Sequence, residues 1–134
     1  MGSLPRWTAS EYHWFVMNYT QNQAFIATYN GVMRHIDISD KSNPKVIQEY
    51  KPSFGLCYAF HWHPNEKILI TCGAATHLEV FDIESKKTTK KYGHDAGAIP
   101  WVYWVDEGKR LLSTDSNESI LWNCPDPALP DGWT

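Results

Sequence analysis

A spacing decides most of what this chain can fold into. Trp62 and Trp104 stand 42 positions apart, Phe81 and Trp122 stand 41 apart, and Ile36 and Phe81 stand 45 apart. The stretch that shows the pattern best runs from Gly93 to Asn123. A Gly93-His94 pair opens it, and an apolar run over residues 99–105 follows. The tight-turn group Asp106-Glu107-Gly108 leads to a second apolar run over residues 110–114. A polar turn over residues 115–118 then gives way to a third run, 119–123, ending Leu121-Trp122-Asn123. Short apolar and β-branched runs punctuated by Gly, Asp and Asn turns are antiparallel strands joined as hairpins. A pattern that restarts at such intervals describes a row of like units, each burying its faces only against its neighbours.

Two earlier copies can be traced. In the first, runs over residues 14–19, 24–28, 32–37 and 45–50 are separated by the turn Thr20-Gln21-Asn22-Gln23, by Asn30-Gly31 and by a polar loop over residues 39–44. Ile36-Asp37 stands where Trp122-Asn123 stands later. The second restarts after Pro52, with runs over 57–63, 67–72, 77–82 and 88–92, and Phe81-Asp82 takes the same place. The third copy stops early. Pro125, Pro127 and Pro130 remove ladder donors from residues 124–134 and argue against an interior strand there. Residues 4–13, around Trp7, are the candidate for the missing outer strand.

A Gly-His pair, a hairpin, a turn Asp and a closing Trp-Asp-like pair at this interval resemble the WD-repeat β-propeller family. The resemblance covers about residues 14–123, and Asn123 stands where that family usually has Asp. It implies a hydrogen-bonded chain within the last repeat made by His94, Ser113 or Thr114, Asp115 and Trp122. It also implies an all-β fold of three four-stranded antiparallel blades in one unit spanning 1–134. Blade one covers about 14–50, blade two about 56–92 and blade three about 93–123, with its outer strand from 4–13. The family habit implies a non-enzymatic scaffold for protein–protein interaction, cytoplasmic, with wording closest to cytoskeletal or ciliary scaffold repeats. Three blades leave two apolar faces open, so the expected unit is partial, or completed by self-association, most simply as a dimer. The alternative is an engineered or minimal propeller fragment whose one property is assembly into a closed ring.

Composition sets the remaining limits. An aromatic share of 14%, with seven Trp, favours strands over helices. A formal net charge of −3 gives no bulk attraction to nucleic acid. Cys57, Cys72 and Cys124 follow no disulfide or metal spacing, as expected in a reducing compartment. No apolar run reaches the roughly 20 residues of a membrane span, and no signal pattern opens the chain, so a soluble intracellular protein is expected.

His61 and His63 share one strand face, with Cys57 beyond them on that face, an alternation that brings two imidazoles within reach of Zn²⁺ or Cu²⁺, but nothing nearby completes the four ligands of a structural metal site. A packing role is preferred, and no cofactor is expected. His94, Ser113 and Asp115 are the residue types of a hydrolase triad, yet no strained nucleophile turn surrounds Ser113. Lys86, Lys87, Lys90 and Lys91 suit an outer strand guarded against edge pairing, or a docking patch for acidic partners. Trp7, Trp101 and Tyr103 are either partner anchors at the rim or side chains buried between blades.

Overall fold

The computed structural model describes residues 12–18, 22–28, 31–40, 42–53 and 57–134. Among them, eleven strands form three separate antiparallel sheets. The first contains β1 (Tyr12–Asn18), β2 (Gln23–Thr28), β3 (Met33–Asp37) and β4 (Lys45–Tyr50), paired in chain order. The second contains β5 (Cys57–Trp62), β6 (Ile68–Gly73), β7 (His77–Asp82) and β8 (Thr88–Tyr92), also in chain order. The third has three strands, β9 (Trp101–Val105), β10 (Arg110–Thr114) and β11 (Ser119–Asn123). Sequential pairing follows from the turns between the runs, where Asn22, Gly31, Glu66, Lys86 and the group Asp106-Glu107-Gly108 take positive φ. Such residues reverse a chain within a few positions.

The expectation of three four-stranded sheets therefore holds for two of them. The third ends at β11 because residues 124–134 turn through the 3-10 segment Pro130–Gly132 instead of extending. Of the range 4–13 considered for an outer strand, Tyr12 and His13 belong to β1, and Tyr12 pairs with Thr28 of the first sheet. Residues 4–11, Trp7 included, lie outside the described residues.

The first strands of the sheets are neighbours: β5 lies against β1 on one side and β9 on the other. The second sheet is thus covered on both faces, and its burial shows it. Every residue of β6 is buried, and so is every residue of β7 except Asp82. One apolar cluster joins the first two sheets through Phe25, Met33, Phe60, Trp62, Leu69 and Phe81. A second joins the second and third sheets through Ile70, Val80, Val102, Trp104, Leu111 and Trp122, with Trp133 packed into it. The third sheet has one covered face, so β9 alternates exposed and buried although all five of its residues are apolar.

His35 shows what the first of these clusters does to a polar ring. It stacks on Phe25 with centroids 4.5 Å apart, meets the edge of Trp62 at 6.1 Å, and its Nε2 lies 2.8 Å from Gln23 Oε1. Burial pushes its pKa down from 6.5 to about 4, with Asp37 opposing that shift and Lys86 adding to it. Between those values the unfolded chain binds the proton and the folded chain does not, so stability falls as pH drops through this window. The full shift corresponds to about 3 kcal/mol, and partial solvation of the ring reduces the expected loss to about 1–2 kcal/mol. His35→Phe should flatten that part of the profile of urea midpoints against pH. An equally steep loss in the variant would assign the pH dependence to other groups.

Candidate interaction face

The third sheet carries two different faces, and the register shows how they arise. On the covered side, Leu111 lies opposite both Trp104 and Trp122, and Ser113 lies opposite both Val102 and Ile120. On the other side, one row across the sheet is Tyr103, Leu112 and Leu121, and the next is Trp101, Thr114 and Ser119. Trp101 is 43% exposed, Tyr103 47% and Leu121 46%. Three large apolar side chains thus stand half in water on one small sheet. Large aromatic area held rigid by a sheet is the usual composition of an interface anchor.

A buried polar chain fixes this sheet from behind. His94 Nδ1 lies 2.7 Å from Asp115 Oδ2, and His94 Nε2 lies 2.6 Å from Ser113 Oγ. Trp122 Nε1–H donates to the same Ser113 Oγ at 2.9 Å. The donors assign the protons. Since Asp115 only accepts, His94 carries its proton on Nδ1, its Nε2 accepts from the Ser113 hydroxyl, and that hydroxyl accepts from the indole. The other Asp115 oxygen, Oδ1, accepts from the backbone amides of Asn117 at 2.7 Å and Glu118 at 2.8 Å. The His94 hydrogen bond is the main force holding the Asp115 carboxyl below its ordinary pKa, and those two amides add to it.

Gly93 completes the arrangement, because a Cβ there would stand 2.5 Å from Cη2 of Trp122. Thr114, the neighbour of Ser113, takes no part, and its Oγ1 meets Ser119 Oγ at 3.0 Å. His94, Asp115 and the exposed Glu118 could gather around a cation. Yet both nitrogens of His94 and both oxygens of Asp115 are already hydrogen-bonded. Ser113 is fully buried, and its Oγ is already bonded to His94 Nε2 and Trp122 Nε1. The arrangement braces a sheet.

His61 and His63 face the third sheet and join it to the second. His61 Nδ1 accepts from the Trp104 amide at 2.9 Å, and its carbonyl accepts from Trp104 Nε1 at 3.2 Å. The His61 ring also stacks on Tyr103, with centroids 4.2 Å apart. His63 Nδ1 accepts from the Asn65 amide, so its Nε2–H donates to Gly108 O at 3.0 Å. Gly108 has φ of 88°, and a Cβ there would stand 2.2 Å from His63 Nε2, so glycine is required on both counts. Cys57 is turned away from both rings into the cluster between the first two sheets. Burial pushes the Cys57 thiol up to about 12, the Cys124 thiol to about 12 and the Cys72 thiol well above its ordinary value. All three thiols are buried, as small apolar side chains are.

Lys86, Lys87 and Lys90 are exposed around the β7–β8 hairpin. Lys91 is committed to packing: its Nζ donates to Trp133 O at 3.2 Å and lies 4.9 Å from the Trp122 ring centroid. Two groups were not legible beforehand. Glu79, only 1% exposed, accepts from Tyr50 Oη at 2.9 Å and from Ser53 Oγ at 2.7 Å, tying the end of β4 to the second sheet. Its signal is a carboxylate in the otherwise inward-facing run Leu78-Glu79-Val80. Trp133 packs against Trp104 at 5.9 Å and anchors the proline-rich end of the chain. No family model matches the chain, and no curated protein matches it. Among the described residues, no helix is long and apolar enough to cross a membrane.

Proposed function

We propose that this chain is a non-enzymatic interaction module of the WD-repeat β-propeller kind, its three sheets serving as consecutive blades of an open arc. The reading is supported by the 41-to-45-residue interval and by the adjacency of β1, β5 and β9. The hydrogen-bonded chain from Trp122 to Asp115 in the third sheet supports it as well. The observation that carries the function is the half-exposed row of Trp101, Tyr103 and Leu121 on a sheet braced from behind. In a closed propeller that face would meet a further blade. Here it is the docking face for a protein partner, and the simplest occupant is a second copy that extends the arc towards a ring. A cytoplasmic scaffold is the setting such a module fits.

Light scattering coupled to size exclusion over a range of concentrations tests this reading. The mass should rise above 15.4 kDa as concentration increases. Tyr103→Glu places a charge in the centre of the face and should weaken the association at least about tenfold, corresponding to at least about 1.4 kcal/mol. A constant monomeric mass, identical in the variant, would overturn the proposal.

A further inference from the structure

The proline-rich segment after β11 is built into a pocket. Its sequence carries the same step twice, Pro125-Asp126 and Pro130-Asp131, five positions apart, on either side of Pro127-Ala128-Leu129. Folded against β8, this segment encloses a cavity of about 380 Å³. Pro125, Leu129 and Pro130 supply its apolar wall, Thr89 lines it from β8, and Asp126, Asp131 and Gly132 complete the lining. That volume lies within the roughly 300–1,000 Å³ of specific binding pockets. The walls are held in place. Trp133 is buried against Trp104 and Trp122, and its Nε1–H donates to Asp126 O at 3.1 Å. The Leu129 amide donates to the same carbonyl at 3.1 Å, and the Gly132 amide donates to Leu129 O at 3.1 Å. Lys91 Nζ, donating to Trp133 O at 3.2 Å, ties the segment to β8. Prolines at 125, 127 and 130 fix φ along it. Walls fixed in this way lose little freedom when a ligand enters.

The charge of the pocket is one-sided. Asp126 and Asp131 are both exposed, and neither forms an ion pair among the described residues. Asp126 accepts from the Ala128 amide at 2.9 Å through Oδ1. Among the described residues no base lines the pocket. Lys91 is turned to Trp133 O, and Lys87 borders a neighbouring hollow with Asp82 and Ser85. Leu129 lines both hollows and is 62% exposed.

We propose that this pocket takes an arginine side chain of a partner polypeptide. The aliphatic stem lies along Pro125, Leu129 and Pro130, and the guanidinium meets the carboxylates of Asp126 and Asp131. A planar fork of donors suits two carboxylates, whereas lysine offers one compact charge and fills less of the volume. The exposed Leu129 takes an apolar residue beside the arginine, which favours a polypeptide over a free cation. A second copy is the poorer donor, because among the described residues Arg34 pairs with Glu49 and Arg110 with Asp106. The proposal rests on the interaction-module reading but uses the segment packed on β8, where that reading uses the face of the third sheet.

The probe is the peptide acetyl-Ala-Leu-Arg-Leu-Ala-amide, titrated into the isotope-labelled chain and followed by amide NMR. Thr89, Asp126, Leu129, Asp131 and Gly132 should shift together and saturate with a Kd on the order of 1 mM or tighter. Asp126→Asn and Asp131→Asn should each weaken binding about threefold, and citrulline in place of the arginine, which removes both attractions and keeps the shape, about tenfold. Gly132→Leu should abolish the shifts and leave the Trp122 indole resonance in place, because a Cβ at Gly132 meets nothing within 4 Å and the longer side chain occupies the pocket. Unmoved resonances at about 5 mM peptide would overturn the proposal. Equal binding by the citrulline peptide would reduce the site to an apolar contact and overturn the choice of a basic side chain. Equal binding by acetyl-arginine amide would assign the pocket to a free cation and overturn the choice of a polypeptide. The same shifts on concentrating the chain alone would assign it to a second copy and overturn the choice of partner. Light scattering reads the face of the third sheet and these amides read the pocket, so either reading can fail without the other.

Discussion

Replacing Phe25 with alanine should lower the folding stability by about 3–5 kcal/mol, the range for deleting a fully buried aromatic ring. Phe25 is fully buried at the junction of the first two sheets, edge-on to Trp62 at 5.2 Å and to Phe81 at 6.0 Å, with His35 stacked on its other side. These partners come from β3, β5 and β7, and the backbones that carry them are fixed in separate ladders. None can move into the vacated space without breaking pairing, so the cavity stays open and the cost sits high in its range. Ile47→Ala, on the outer strand β4 and 44% exposed, should change stability by no more than about 0.5 kcal/mol. Chemical denaturation followed by tryptophan fluorescence measures both. A Phe25→Ala loss as small as that of Ile47→Ala would mean that the first sheet does not pack on the second as described.

That junction is an instance of what the sequence allowed. Turn chemistry delimits the strands: the spans over 45–50, 77–82, 88–92, 110–114 and 119–123 match β4, β7, β8, β10 and β11. Which face of a strand is covered was harder to read. Trp101-Val102-Tyr103-Trp104-Val105 is apolar throughout, so no period of two distinguishes the exposed Trp101 and Tyr103 from the buried Val102 and Trp104. Among the described residues no further sheet packs on the face that carries Trp101 and Tyr103. The choice between Ser113 and Thr114 was open for a related reason. Both residues suit a strand, and the hairpin register that puts Ser113 on the Trp122 side is set by the turn at residues 115–118. The prolines at 125, 127 and 130 correctly argued against an interior strand in the tail. They gave no hint that Trp133 and Thr134 return to the sheet, because a contact eleven positions away has no local signature. Glu79 escaped for the same reason, since its partners Tyr50 and Ser53 lie on the preceding sheet and loop.

Ser113→Ala is the change that asks most directly whether the buried chain braces the third sheet. Ser113 is fully buried, and its hydroxyl is the one atom that both accepts from Trp122 Nε1 and donates to His94 Nε2. Alanine removes one oxygen and leaves two polar nitrogens behind. Trp122 is 8% exposed and His94 is 3% exposed, so water does not readily replace the lost partner. Each stranded buried group costs about 1–3 kcal/mol, and the pair should cost about 2–4 kcal/mol. The void is small, so the loss comes almost wholly from hydrogen bonding. Thr114→Ala is the matched control. Its hydroxyl bonds only Ser119 Oγ at an exposed position, and its loss should cost less than about 1 kcal/mol. A readout beyond stability separates bracing from ordinary packing: with its partner gone, the Trp122 indole N–H should exchange faster with solvent and its NMR resonance should move upfield. Equal denaturation midpoints for the two variants, with the Trp122 resonance in place, would show that the chain of hydrogen bonds does not hold the sheet.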